Sequence, residues 1–78
     1  MSPGGAQPGS SRLARQALIL ALIESKEISS QAELAELLAA KGISVSQSTL
    51  SKDLLEIGAV RVRGTRGGLV YAPPGSDV

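Results

Sequence analysis

The spacing of apolar residues changes at Gly58, from every third or fourth position before it to every second position after it. A chain with that change of period builds helices first and a β-hairpin last. Beyond Gly58, Ala59-Val60-Arg61-Val62-Arg63 alternates apolar and basic side chains, and Leu69-Val70-Tyr71-Ala72 is a second short β-prone run. Gly64-Thr65-Arg66-Gly67-Gly68 joins the two, and its glycines fit a hairpin loop that needs positive φ angles. Pro73-Pro74, which cannot continue a ladder, ends the second run. Before Gly58, Leu13, Ala14, Ala17, Leu18, Ala21 and Leu22 recur at helical spacing and predict a first helix over residues 12–25. Ile19, Leu20 and Ile23 widen its apolar stripe almost all the way round, as in a central core helix rather than a membrane or partner helix. Ile28 follows in a short extended connection.

Two further helices are delimited by their caps. Ser30-Gln31-Ala32-Glu33 fits a capping box, in which the serine oxygen accepts from the backbone N–H three residues on and Glu33 reaches back. Leu34, Leu37 and Leu38 form the buried stripe of this second helix, and Lys41-Gly42 supplies the cation and the left-handed residue that a helix C-terminus favours. The connection then runs over residues 42–45. Ser46 caps a third helix, Gln47–Ile57, which stops at Gly58. With Gln47 placed at zero on a helical wheel, Ile57, Leu50 and Leu54 fall at about 280°, 300° and 340°, the buried side. Gln47, Ser48, Ser51, Lys52 and Leu55 fall between about 0° and 140°, a mostly polar arc from which Asp53 and Glu56 are excluded.

With 78 residues, and residues 1–11 rich in Gly, Pro and Ser, the chain supports one compact core preceded by a disordered tail. It contains no Cys and no His, so disulfides and the usual zinc ligands are excluded, and no metal or catalytic site is expected. A serine nucleophile would need a lysine base beside it; Lys52 follows Ser51 but points about 100° away round the helix. Residues 64–68 lack the spacing of a nucleotide-binding loop and precede a strand. The longest apolar run, residues 17–23, falls short of a membrane span, which needs about 20 residues. These features together read as a soluble, cytoplasmic protein that is not an enzyme. Its net charge is only +1, but the charge is unevenly distributed. Arg12 and Arg15 lie near the start with no acid before Glu24, and Arg61, Arg63 and Arg66 follow Glu56 with no acid between them. Between these basic ends lie Glu24, Glu27, Glu33, Glu36, Asp53 and Glu56 against Lys26, Lys41 and Lys52.

Three helices followed by a two-stranded antiparallel hairpin, in an α+β and mainly α domain over residues 12–74, is the element order of a winged helix-turn-helix. In that fold the third helix enters the major groove of double-stranded DNA. Hydroxyl and amide side chains on it both donate to and accept from base edges, while a lysine meets guanine or phosphate. Gln47, Ser48, Ser51 and Lys52 have this chemistry, although the same four also fit an ordinary solvated helix surface. Winged helices also serve as protein-docking modules, for which Leu55 would be the anchor.

Ser46-Gln47-Ser48-Thr49-Leu50-Ser51-Lys52-Asp53-Leu54 resembles the signature helix of bacterial arginine repressors. Ser29-Ser30-Gln31-Ala32-Glu33-Leu34 resembles the start of that family's second helix. Gly58-Ala59-Val60-Arg61-Val62 resembles its passage into the wing, and Val70-Tyr71 before proline resembles the return strand. The resemblance implies a DNA-binding domain of a regulator of arginine metabolism genes that binds palindromic operators. It further implies a separate C-terminal domain that binds L-arginine as co-repressor and drives oligomerisation, to a hexamer in the full-length protein. Residues 75–78 would be a tail or the start of a linker to it, the domain itself would need no cofactor, and alone it would be a monomer. By motif, Ser48, Ser51, Lys52 and Arg61 are the residues placed against the operator, with Gln47 beside them. Two positions depart from the family pattern. Lys52 stands where arginine is usual and lacks the bidentate fork that arginine offers to guanine. Leu55 stands where the family is usually polar, and fits either a thymine methyl or packing against the wing or a neighbouring chain.

Other residues carry paired readings. Arg63 and Arg66 suit phosphate or minor-groove contact from the wing, and also the protection of an edge strand. Ser30 and Gln31, at a helix N-terminus, suit a phosphate, with Ser30 also serving as the cap. Tyr71, the only aromatic residue, reads as core rather than as a base-stacking platform. Arg12 and Arg15 fit phosphate contacts and plain surface charge equally.

Overall fold

The computed structural model describes residues 12–76; the expected N-terminal tail and residues 77–78 lie outside the described residues. Helices α1 (Arg12–Ser25), α2 (Gln31–Ala40) and α3 (Gln47–Ile57) are followed by strands β1 (Val60–Arg63) and β2 (Leu69–Ala72). This is the mainly helical winged-helix architecture that the change of period predicts, and its boundaries follow from local capping chemistry. The Ser30 hydroxyl accepts the Glu33 N–H at 3.1 Å, and the Ser46 hydroxyl accepts the Thr49 N–H at 3.2 Å. The Glu33 carboxylate reaches back to the N–H of Ser29 at 3.2 Å, one residue earlier than a reciprocal capping box requires. Gly58 ends α3 at φ +75°, a left-handed conformation in which its N–H meets the carbonyls of Leu54 and Leu55.

The core gathers Ile19, Leu22 and Ile23 of α1, Ile28 of the connection, Leu34 and Leu38 of α2, and Leu50 and Leu54 of α3. Leu37 and Ile57, expected on the buried stripes, pack half-buried against this cluster. The expected stripe of α1 needs correction. Leu13, Ala14, Ala17 and Ala21 are exposed, Leu13 to 78%, and the buried side is centred on Ile19, Leu22 and Ile23. A helix that is apolar almost all round satisfies helical spacing on two neighbouring stripes, so spacing alone does not choose its rotation. Area decides it, because burying the branched residues removes more apolar surface from water than burying alanines.

The hairpin pairs Val60 with Ala72, Arg61 with Tyr71, Val62 with Val70 and Arg63 with Leu69. Alternation puts Val60, Val62, Val70 and Ala72 on one face and Arg61, Arg63, Leu69 and Tyr71 on the other. The hairpin is tied to the body where the Tyr71 N–H donates to the Ile28 carbonyl at 2.9 Å. The loop glycines correct a second expectation, since Gly67 alone of the three has positive φ, at +92°. Gly64 is needed for space instead: a Cβ there would lie 2.9 Å from Glu27 Oε1 and 3.1 Å from Val70 Cγ1. Pro73 follows β2 directly, as expected of a residue that ends a strand.

Candidate nucleic-acid interface

The face that α3 turns outward is set by what it turns inward. Leu50 and Leu54 are in the core, and between them on the sequence Asp53 is buried to 2% exposure. Its carboxylate accepts from Arg15 Nε and, at 2.9 Å, from Arg15 Nη2, and it also accepts from Gln16 Nε2 at 3.0 Å. The hydrogen bonds from Arg15 hold the Asp53 carboxyl below its ordinary range, outweighing burial, which pushes it the other way; Gln16 adds to the lowering. The Arg15 guanidinium is raised in turn, by the same hydrogen bond first. Gln16 Nε2 also donates to Glu56 Oε1 at 2.8 Å, and Arg12 lies 3.8 Å from the same oxygen. The two α1 arginines thus face acids of α3. Arg15, with a side chain only 11% exposed, is an internal partner and not a surface charge. This pair was not foreseen, although the wheel carried a signal: Asp53 falls at about 240°, next to the half-buried Ile57.

With both α3 acids engaged by α1, the opposite side of the helix presents Gln47, Ser48, Lys52 and Leu55, all exposed, and Ser51, half-buried. Leu55 is 82% exposed, so it does not pack against the wing. Ser51 Oγ donates to Gln31 Oε1 of α2 at 2.8 Å, joining two of the expected site residues directly. Gln31 and Gln47 also line a small cavity of about 160 Å³ with Ala32, Ala35 and Leu50. Ser48 Oγ lies 3.3 Å from Ser46 Oγ, and the Ser30 hydroxyl is engaged as the cap of α2.

Arg61 extends this surface from the hairpin. Its guanidinium sits 4.5 Å above the centre of the Tyr71 ring, directly across the ladder, and its Nη2 donates to the Tyr71 hydroxyl at 3.2 Å and the Ser29 carbonyl at 3.4 Å. A path therefore runs from the wing to the backbone just before α2 and, two residues on, from the Gln31 side chain to α3. Tyr71 is half-buried and packed on the core, as its place in a short strand suggests, and its outer surface carries the arginine. Arg63 and Arg66 lie toward the hairpin loop, apart from this path. Arg63 Nη1 donates to the Gly67 carbonyl at 2.7 Å, and Arg66 is exposed beside a cavity of about 700 Å³ that it shares with Lys26, Glu27 and Glu33. A second unforeseen contact holds this loop: the Glu27 carboxylate accepts the Thr65 N–H at 2.9 Å and the Thr65 hydroxyl at 3.0 Å.

The result is an acid-free helix face of donors and acceptors, flanked by a hairpin bearing three arginines. Among the described residues no cluster of His, Cys, Asp or Glu is arranged to hold a metal ion, and no helix is long and apolar enough to cross a membrane. Residues 10–77 match the family described as arginine repressor, DNA binding domain.

Proposed function

The chain belongs to the family of arginine repressor DNA-binding domains, a DNA-binding module of transcriptional repression, and from that membership we propose that it recognises palindromic operators of arginine metabolism genes. In this reading α3 lies in the major groove, with Gln47, Ser48, Ser51 and Lys52 against base edges. Ser30 and Gln31 meet a phosphate at the start of α2, where free N–H groups and the helix dipole favour an anion. Arg61, Arg63 and Arg66 bring the wing to the backbone or the minor groove. L-arginine acts as co-repressor through a separate C-terminal domain, which assembles the full protein into a hexamer in the cytoplasm. The isolated domain is a monomer, and its single half-site contact is weak until it is multiplied by assembly.

The observation that carries this reading is that both α3 acids lie off the outward face and are engaged there by Arg15, Gln16 and Arg12, since an acid on that face would repel phosphate. A salt titration of binding to double-stranded DNA tests it. Affinity should fall steeply and log-linearly with salt, and Ser51→Ala and Arg61→Ala should each weaken the complex by about 1 kcal/mol or more with the fold intact. A second reading, a protein-docking module anchored on Leu55, draws on that residue's 82% exposure. It is favoured if no DNA complex forms even at low salt.

A further inference from the structure

We propose that Gln31 fixes the hydrogen-bond polarity of Ser51, making the serine an acceptor that selects an amino-bearing base, adenine or cytosine, in the major groove. The inference rests on the DNA-binding reading above and deepens it. A serine hydroxyl has one proton and two lone pairs, so it is indifferent between donor and acceptor bases until the proton is committed. Within a helix that proton usually bonds to the carbonyl four residues back. Here Ser51 Oγ donates across to Gln31 Oε1 at 2.8 Å instead.

Gln31 is well placed to hold this role. It is the first residue of α2, immediately after the Ser30 cap, so its backbone is fixed by the cap's bond to Glu33. The contact is partly buried, which limits competition from water for the hydroxyl proton. With its proton engaged, Ser51 Oγ turns only lone pairs to the groove. Adenine N6 and cytosine N4 offer N–H groups there and are accepted, whereas guanine O6 and thymine O4 meet lone pair with lone pair and are refused. Ser48 differs, because its contact with Ser46 Oγ is long, at 3.3 Å, and exposed, so water competes for its proton and leaves the hydroxyl free to turn either way. Lys52 is a pure donor and complements Ser51 by favouring guanine or thymine. Neighbouring positions of α3 therefore read opposite base classes, and the one set by α2 is Ser51.

The test measures binding of the full 78-residue chain to a double-stranded DNA library randomised over about one helical turn. The parent, Ser51→Ala, Gln31→Ala and Gln31→Glu are compared. The parent should prefer adenine or cytosine over guanine and thymine by about tenfold at one position, and Ser51→Ala should abolish that preference. Gln31→Ala, which frees the hydroxyl proton, should admit guanine and thymine at the same position and leave the profile elsewhere unchanged. Gln31→Glu keeps an oxygen to receive the proton, so it should retain the preference while lowering affinity evenly at all positions. The proposal is overturned if the Ser51-dependent position prefers guanine or thymine, the result of a reversed amide in which Gln31 donates. It is overturned equally if Ser51→Ala alters no position, or if Gln31→Ala lowers affinity without changing the base profile. Failure of the underlying reading looks different: no salt-sensitive complex forms with any of the four proteins.

Discussion

Replacing Arg15 by methionine retains the packing of the aliphatic stem but strips Asp53, 2% exposed, of its charged partner. Removing one member of a buried ion pair costs about 3–5 kcal/mol, because the remaining charge is left desolvated. Gln16 still donates one hydrogen bond at 3.0 Å, which places the expected loss near the lower end, about 3 kcal/mol. A domain of this size has a total stability of roughly 4–12 kcal/mol, so the variant should unfold at a markedly lower urea concentration and at a melting temperature about 12–24 °C below the parent. The pH dependence provides the sharper check. In the parent the folded Asp53 carboxyl titrates below its unfolded value of about 3.9, so its contribution is full above that value and is lost as pH falls through the lower folded one. In Arg15→Met the largest lowering influence is gone and burial, the next largest, is opposed only by Gln16 and Arg12, so the folded carboxyl titrates higher than in the parent. The penalty is then full at neutral pH and fades as acid protonates the folded carboxyl. The gap between the two proteins, measured by urea denaturation followed by circular dichroism, should therefore narrow from neutral pH to about pH 3. A gap under about 1 kcal/mol at neutral pH, or one that does not change with pH, would refute the argument that Arg15 compensates a buried charge. The double variant Arg15→Met/Asp53→Leu, which removes both charges, should recover to within about 1 kcal/mol of the parent.

Ser46→Ala deletes the cap of α3 and should cost about 1 kcal/mol in denaturant midpoint, with fraying visible as faster amide exchange at Thr49. Gly64→Ala sets a methyl group 2.9 Å from Glu27 Oε1 and 3.1 Å from Val70 Cγ1, so the carboxylate must shift and weaken its hold on Thr65; a loss of about 1 kcal/mol and faster exchange of the Thr65 amide are expected. Leu55→Gln should leave stability within about 0.5 kcal/mol of the parent, because the side chain is 82% exposed; a larger loss would mean that Leu55 is covered in solution, which sedimentation would detect as self-association.

What was legible in the chain before any coordinates is what depends on a few neighbouring residues. Ser30, Ser46 and Gly58 delimit helices because a cap bond or a left-handed turn spans three or four positions, and the alternation about Val60 and Val62 names the hairpin for the same reason. The wheel likewise separated the outward arc of α3 from its core side, because Leu50, Leu54 and Ile57, three of its four large apolar residues, lie on one stripe. The rotation of α1 was not legible, since nearly every side of that helix is apolar and spacing offers no way to choose among them. Tertiary packing chose it, and with it the partners of Arg12 and Arg15. The contacts that shape the candidate interface, Arg15 to Asp53, Gln31 to Ser51, Arg61 to Ser29 and Glu27 to Thr65, join residues 20 to 38 positions apart in the chain. No local period encodes such pairs, because each depends on the relative rotation of two elements, and that rotation is set only when their apolar faces meet. The sequence by itself determined the elements and the polar face of α3; the packing of α1 and α2 against α3 decided which of its polar groups are already engaged.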